Sequence, residues 1–482
     1  DKEIEAIAIT GPVMESIYAA DPQAHMEKEL GRDGWSVVGA AELGAGLRPS
    51  QFDNGRFEAR KIDFSKDARD MVNSGRIRNH LDHDGQKLWD KTAGVYQKFR
   101  GSYNGTASKV NSASARVNGT FGTKIGTIPT APRLGDIAIA EAKKHGTDMN
   151  AELGAIIMRK GDTAVLAFRG SRTGGDGWAA TFDQDRFYES GRPLYDAFKD
   201  YVTNPENGIK NVRITGHSLG GAMTQMYSYR DMPALRQAGL DVQAVAYASP
   251  GVQATDAPSV ARPPTDLLTV QGKRDHVSNK ELALGAADIL DLNKQVNGIR
   301  GEMFALQRKA VKATSGTWVS GLVKTGIIAV ANEAHNELDD LAHLARNTEV
   351  TAMHGHRQWD NREIYYDYPN RPENKITGDW GHQHWWVLSR EFSDVVSENA
   401  ALGHSFQMGQ VVNINRKDGD KPFIIGPDGL PLEAPNAVPQ APEPAHLDET
   451  NIGTPQDQAS PAGNVEPPPK ENRTRMPMRL GG

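Results

Sequence analysis

The segment Gly216-His217-Ser218-Leu219-Gly220 carries a hydroxyl between glycines at the spacing used by nucleophilic hydrolases. It follows a short strand pattern at 212–215 and precedes a helical pattern that begins near Gly221. Ser218 is therefore expected at a tight strand-to-helix turn, a nucleophile elbow. In such a turn Gly216 and Gly220 leave room for backbone that side chains would block. The helix behind the turn aims unpaired N–H groups, the Leu219 amide first among them, and the positive end of its dipole at the oxyanion of an attacked acyl group. The bland alternative is an ordinary glycine-rich turn.

A serine hydroxyl is inert without a base, and the base needs an orienting carboxylate. Where the serine sits on a Gly-x-Ser-x-Gly elbow, its partners follow in the chain order Ser, Asp, His. Asp275 sits in Gln271-Gly272-Lys273-Arg274-Asp275-His276-Val277, directly after the apolar run 267–270, and is the natural acid. Asp266, in front of that run, is the alternative. Histidines downstream include His335, His343, His354, His356, His382, His384 and His404, and spacing alone does not choose between them. The two His-x-His pieces, His354/His356 and His382/His384, could instead pack or hydrogen-bond in loops. A metal site is disfavoured because an i, i+2 pair shares a face only on a regular strand and no third ligand is spaced to complete it. The Asp82-His83-Asp84-Gly85 run lacks the downstream carboxylate of a calcium loop and reads as a solvated turn.

Composition narrows the chemistry further. The 482 residues contain no cysteine, which excludes disulfide scaffolds, thiolate metal sites and cysteine nucleophiles. The 55 Lys+Arg against 61 Asp+Glu give no global attraction to nucleic acid. No stretch reaches the roughly 18 to 20 uninterrupted apolar residues of a transmembrane helix. The chain opens on Asp1, which reads as a processed or trimmed start with no signal peptide to inspect. Absence of cysteine leaves cytosol, periplasm and exterior equally open.

Five stretches differ in pattern. Residues 1–129 are polar, with amphipathic patches at 4–9 and 68–77, and read as an accessory, mostly helical region; the Ser/Asn/Gly/Thr-rich piece 101–123 reads as a linker. From residue 130 to 280 short apolar strands alternate with helices: 155–162 and 163–168 joined by a Gly-Asp turn, then 212–215, 242–247 and 267–270, with helices over 194–202 and 222–230. This rhythm predicts an α/β fold with a largely parallel sheet covered on both faces. Residues 281–350 form a helical insertion. Strand character returns within 351–416, at 363–368. Beyond residue 417 the chain becomes Pro-rich, with nearly half of its 27 prolines, and is expected to be disordered.

His217-Ser218-Leu219-Gly220-Gly221, preceded by Phe168-Arg169-Gly170-Ser171 and by Trp178, resembles the class 3 lipases, serine lipases of the α/β-hydrolase fold. The resemblance spans less than half of the chain, about 130–280 and 353–392. It implies that Ser171, after the Phe-Arg-Gly turn, joins the Leu219 amide in the oxyanion hole. Glycine before Ser171 also suits a donor turn, because it lets the next N–H swing toward the substrate. Asp275 falls on a loop similar to the family's Asp-x-Val loop. The family's order of a His-rich segment, a Glu-aromatic strand and a catalytic His before aromatics is matched by Met353-His354-Gly355-His356, Glu363-Ile364-Tyr365-Tyr366 and Gly381-His382-Gln383-His384-Trp385-Trp386. The resemblance therefore implies His382 as the base, with His384 next and His356 third. The chain departs from the family between Val277 and Met353, where relatives have a short connection. That insertion is read either as a lid at the lipid interface or as a packed helical subdomain.

The resulting expectation is a serine lipase or phospholipase that hydrolyses carboxylic esters of lipids without cofactor or metal. The layout leans it toward phospholipid and toward an exported bacterial protein working at a membrane or emulsion interface. A triacylglycerol lipase, an acyltransferase with the same triad, and a non-catalytic lipid- or partner-binding protein are the alternatives. The partner of the N-terminal region or tail is not readable.

Overall fold

The computed structural model describes residues 2–44, 46–122, 125–253, 266–272, 292–315, 317 and 319–347, with the strands 356–357, 362–367, 411–413 and 423–425. Its strands are β1 (Ser36–Val37), β2 (Phe52–Asp53), β3 (Arg56–Glu58), β4 (Ile62–Asp63), β5 (Asn150–Ala151), β6 (Gly154–Lys160), β7 (Thr163–Phe168) and β8 (Asn211–His217). They continue with β9 (Asp241–Tyr247), β10 (Val252–Gln253), β11 (Leu267–Gly272), β12 (His356–Arg357), β13 (Arg362–Asp367), β14 (Val411–Asn413) and β15 (Phe423–Ile425). The helices are α1 (Lys2–Ser16), α2 (Pro22–Glu29), α3 (Ala40–Leu43), α4 (Ser65–Asn73), α5 (His83–Phe121), α6 (Leu134–Lys144) and α7 (Gly174–Phe182). After them come α8 (Gln184–Glu189), α9 (Arg192–Thr203), α10 (Leu219–Arg230), α11 (Met232–Gln237), α12 (Leu292–Thr314), α13 (Val319–Val323) and α14 (Ala329–Asn347).

One sheet runs in the order β15-β14-β13-β11-β9-β8-β7-β6-β3-β2, with β1 also paired to β6. From β7 through β8, β9, β11 and β13 to β14 every pairing is parallel. The antiparallel strands lie at the two flanks, β6, β3 and β2 on one side and β15 on the other. The fold is therefore mixed α/β with a mostly parallel central sheet. Its central strands are near-continuous apolar runs, as expected when both faces are covered.

The two faces have different covers. Ile157, Leu166, Phe168, Ile214, Ala244 and Ala246 join a large core that includes α5, α6, α9 and α10. On the opposite face Ile156, Met158, Val165, Ala167, Val245, Tyr247 and Val270 meet Ala6, Ile7, Val13, Met14 and Ile17 of α1 and the residue after it. This alternation is the period-two geometry of a strand. Each fully buried α1 side chain of this size contributes about 1.5 to 3 kcal/mol. α10 is buried all round from Leu219 to Ser228, the pattern of a helix enclosed by a core.

Residues 101–121, within the piece 101–123 read from composition as a linker, form the second half of the 39-residue helix α5. The correction has a physical cause. Phe99, Tyr103, Ala107, Val110 and Ser114 fall on one buried stripe at helical spacing. Beside them Asn104, Asn111 and Asn118, seven residues apart and so two turns apart on one face, bond the extended segment that returns along the helix. The Asn118 carboxamide accepts from Ile125 N–H at 2.9 Å and donates to Ile125 C=O at 3.1 Å. Asn111 does the same to Ile128 at 2.8 and 2.9 Å, and Asn104 accepts from Ala131 N–H at 2.7 Å. Asp82 caps the start of α5 by accepting from Gly85 N–H at 2.7 Å, so the Asp-His-Asp-Gly run is a helix N-terminus.

Within the insertion, α12 and α14 pack on each other and on α5, and α12 also meets α6. Val296, Ile299, Met303, Leu306 and Ala310 of α12 and Leu338 and Leu341 of α14 belong to the same core as Phe99 and Tyr103. Among the described residues, no helix is long and apolar enough to cross a membrane.

Candidate active site

The parallel register brings the carboxyl ends of the central strands to one edge. Phe168 pairs with Gly216, His217 with Tyr247, and Gly272 with Tyr366. Open α/β sheets bind ligands outside this edge. Three predicted residues leave the sheet here: Ser218 after β8, Leu219 at the head of α10, and Ser171 in the turn after β7.

Ser218 has φ 58° and ψ −125°, a conformation that side-chain-bearing residues rarely adopt. Its amide donates to Tyr247 C=O at 2.9 Å, and its own carbonyl accepts from Gly221 and Ala222 N–H at 2.8 and 3.2 Å. These bonds hold a geometry that costs about 1 to 3 kcal/mol intrinsically. The flanking glycines are demanded by contact. A Cβ on Gly216 would stand 2.0 Å from Gly220 O, and one on Gly220 would stand 2.2 Å from Phe168 O. Ser218 itself is half-buried, and its side chain makes no capping bond to α10.

The turn after β7 abuts this elbow. A Cβ on Gly170 would lie 2.7 Å from His217 O and 2.9 Å from Ser218 Cβ. The turn is fixed at almost every residue. Arg169, buried, donates to Glu58 at 2.7 Å and to Glu152 C=O at 3.0 Å. Gly170 N–H donates to Tyr18 Oη at 2.8 Å. The Asp176 carboxylate takes the Arg172 amide at 2.8 Å, the Thr173 amide at 3.2 Å and the Glu152 amide at 2.9 Å. Burial holds the Asp176 carboxyl above its usual range, while these amides and Arg169 pull it the other way. Among the described residues, the Ser171 and Leu219 amides make no hydrogen bond, and Ser171 is exposed. Leu219, as the first residue of α10, has no intrahelical acceptor for its N–H. Two donors with no acceptor among the described residues thus flank a strained serine at a helix N-terminus, a combination that can stabilise an oxyanion.

His217, next to the serine, is fully buried. Its Nδ1 is hydrogen-bonded to Tyr18 Oη at 2.8 Å, with the rings edge-to-face at 5.7 Å. Burial raises the Tyr18 phenol well above its usual range, so it keeps its proton. Sequence reasoning missed Tyr18, because nothing in the text around 18 points to a partner 199 residues away.

Asp275, His382, His384 and His354 lie outside the described residues. His356 is placed by its backbone in β12, paired with Gln253 of β10. Asp266 opens β11 at the opposite end from Gly272 and is paired with Arg236 at 2.8 Å. The six residues of β11 span roughly 20 Å, so Asp266 lies at the end of that strand opposite the carboxyl edge from which Ser218 leaves the sheet. No group of three His, Asp or Glu side chains that could hold a metal occurs among the described residues.

No family model matches the chain, and no curated protein matches it. Among solved structures, the chain is similar to the extracellular lipase LipA from Serratia marcescens, at 14% identity and a TM-score of 0.27. That match covers 55% of this chain and 31% of the lipase.

Proposed function

We propose that the protein is a serine hydrolase of the α/β-hydrolase type acting on carboxylic esters of lipids. The observation that carries this reading is the left-handed backbone of Ser218 at a strand-to-helix junction, between glycines whose neighbours exclude side chains. Ser218 attacks the acyl carbonyl, and His382 takes its proton and returns one to the departing alcohol. Asp275 holds the imidazole tautomer, and water then clears the acyl-enzyme. The Leu219 and Ser171 donors each contribute about 3 kcal/mol to the tetrahedral oxyanion. The lipid substrate rests on the resemblance of the motif residues to class 3 lipases, and the lean to phospholipid rests on the large accessory regions.

A fluorophosphonate probe should label the wild-type protein at one site and leave Ser218→Ala unlabelled. Ester turnover should fall by roughly four orders of magnitude in that variant. An unlabelled wild type would favour a binding role for the same fold. Turnover by His382→Ala, His384→Ala and His356→Ala ranks the bases, with the first expected to be lowest. Fatty acid release from phosphatidylethanolamine vesicles against a triolein emulsion decides the substrate, and activity on triolein alone would overturn the phospholipid lean.

A further inference from the structure

We infer that Tyr18 is a positioning residue of this site, in which one phenolic oxygen ties the oxyanion turn to the nucleophile elbow. The inference deepens the hydrolase reading and rests on it. The hydroxyl accepts from Gly170 N–H at 2.8 Å and is hydrogen-bonded to His217 Nδ1 at 2.8 Å. Gly170 is the residue before Ser171, and His217 is the residue before Ser218. A single atom therefore links the Gly170 peptide to the His217 imidazole, and each of these belongs to the residue immediately before one assigned to the reaction. The packing is close enough for this to matter, since a Cβ on Gly170 would meet Tyr18 Oη at 2.3 Å and Ser218 Cβ at 2.9 Å.

Tyr18 is held in its own place by charges that also hold the turn. The buried Arg56 guanidinium donates to Ile17 C=O at 3.1 Å and to Ala19 C=O at 3.4 Å, gripping the chain on both sides of Tyr18. Arg56 also donates to Glu58 Oε1 at 2.5 Å, and the same oxygen accepts from Arg169 at 2.7 Å. Arg169 leads back to Gly170. The ring Tyr18, Gly170, Arg169, Glu58, Arg56 and the Ile17 carbonyl is closed, so the phenol cannot shift without moving β3 or the turn. Catalytic donors are effective only within a few tenths of an ångström of their productive positions. A residue far from the reacting atoms can therefore govern rate through this oxygen.

Tyr18→Phe removes the bridging oxygen and keeps the ring. With far-UV circular dichroism unchanged, kcat for a soluble ester should fall roughly 30-fold with KM altered less than about twofold. Hydrogen exchange in a peptide covering 168–173 should accelerate by about tenfold as the Gly170 amide loses its acceptor. Unchanged kcat, a loss confined to KM, or unchanged exchange at that peptide would each overturn the inference. If Tyr18→Phe does not fold, Glu58→Gln leaves the phenol and loosens both arginines; faster exchange over 168–173 with lower kcat supports the ring, and no change in either refutes it. A wild type that neither turns over ester nor labels at Ser218 would refute the hydrolase reading. The exchange measurement would still decide whether Tyr18 holds the turn.

Discussion

Ser218 is strained where a glycine would be relaxed. Its φ is 58°, and among the described non-glycine residues only Asn54 and Ala248 also have a positive φ, at 47° and 45°. Replacing Ser218 by Gly should stabilise the fold by about 1 kcal/mol, seen as a higher denaturation midpoint, while removing the nucleophile. A lower midpoint would mean that the serine side chain makes a contact worth more than its backbone strain. The elbow was legible in sequence because its two glycines and the serine fall within five residues between a strand pattern and a helical one, although the contact that demands Gly220 comes from Phe168 in another strand. Ser171 was singled out by a family resemblance and by the glycine before it. Tyr18 was not, since its two partners lie far along the chain and a tyrosine in an amphipathic stretch carries no local mark of them.

At the scale of elements, α5 shows why composition misleads. Ser, Asn, Gly and Thr between 101 and 123 have weak helix propensity, yet tertiary bonds from the asparagines at 104, 111 and 118 override it. Asn111→Ala should leave both polar groups of Ile128 unpaired and lower stability by about 2 kcal/mol in urea denaturation. Gly101→Ala should act in the opposite direction. A Cβ there meets nothing within 4 Å, and a helix-interior alanine is about 1 kcal/mol better than glycine. If both substitutions destabilise equally, the asparagine ladder is not what holds this half of the helix. The strands β6 to β9, by contrast, were readable as mainly apolar stretches bounded by turns, because strands covered on both faces are mostly apolar, with Arg213, Thr215, His217 and Gln243 the buried polar residues of β8 and β9. Beside the stripe from Phe99 to Val110, the seven-residue asparagine spacing was a second sequence signal for α5, and it has meaning only once the segment it bonds is placed beside it.

For the molecule as a whole, the sheet does not respect the compositional change near residue 130. β2 and β3 extend it through β6, and α1 covers one of its faces. Ile7, fully buried among those strands, should therefore report on global unfolding. Ile7→Ala is expected to cost about 2 to 5 kcal/mol and to move the whole cooperative transition. A separate early transition, with the main one unmoved, would show α1 to be an independently melting cover. That long-range architecture is what a single sequence conceals, because the patterns of α1 and of the strands it covers are each ordinary by themselves.

The Thr10–Tyr247 hydrogen bond joins residues 237 positions apart, and Val270 completes the same apolar face. During synthesis α1 leaves the ribosome long before β9 and β11 exist. Its apolar side chains then have no native surface to meet, and half of the sheet face they will cover is still untranslated. This face can close only late, after a large loop entropy has been overcome. The interval before closure, with an uncovered helix and uncovered strands in one nascent chain, is when the protein is most exposed to aggregation and most dependent on chaperones.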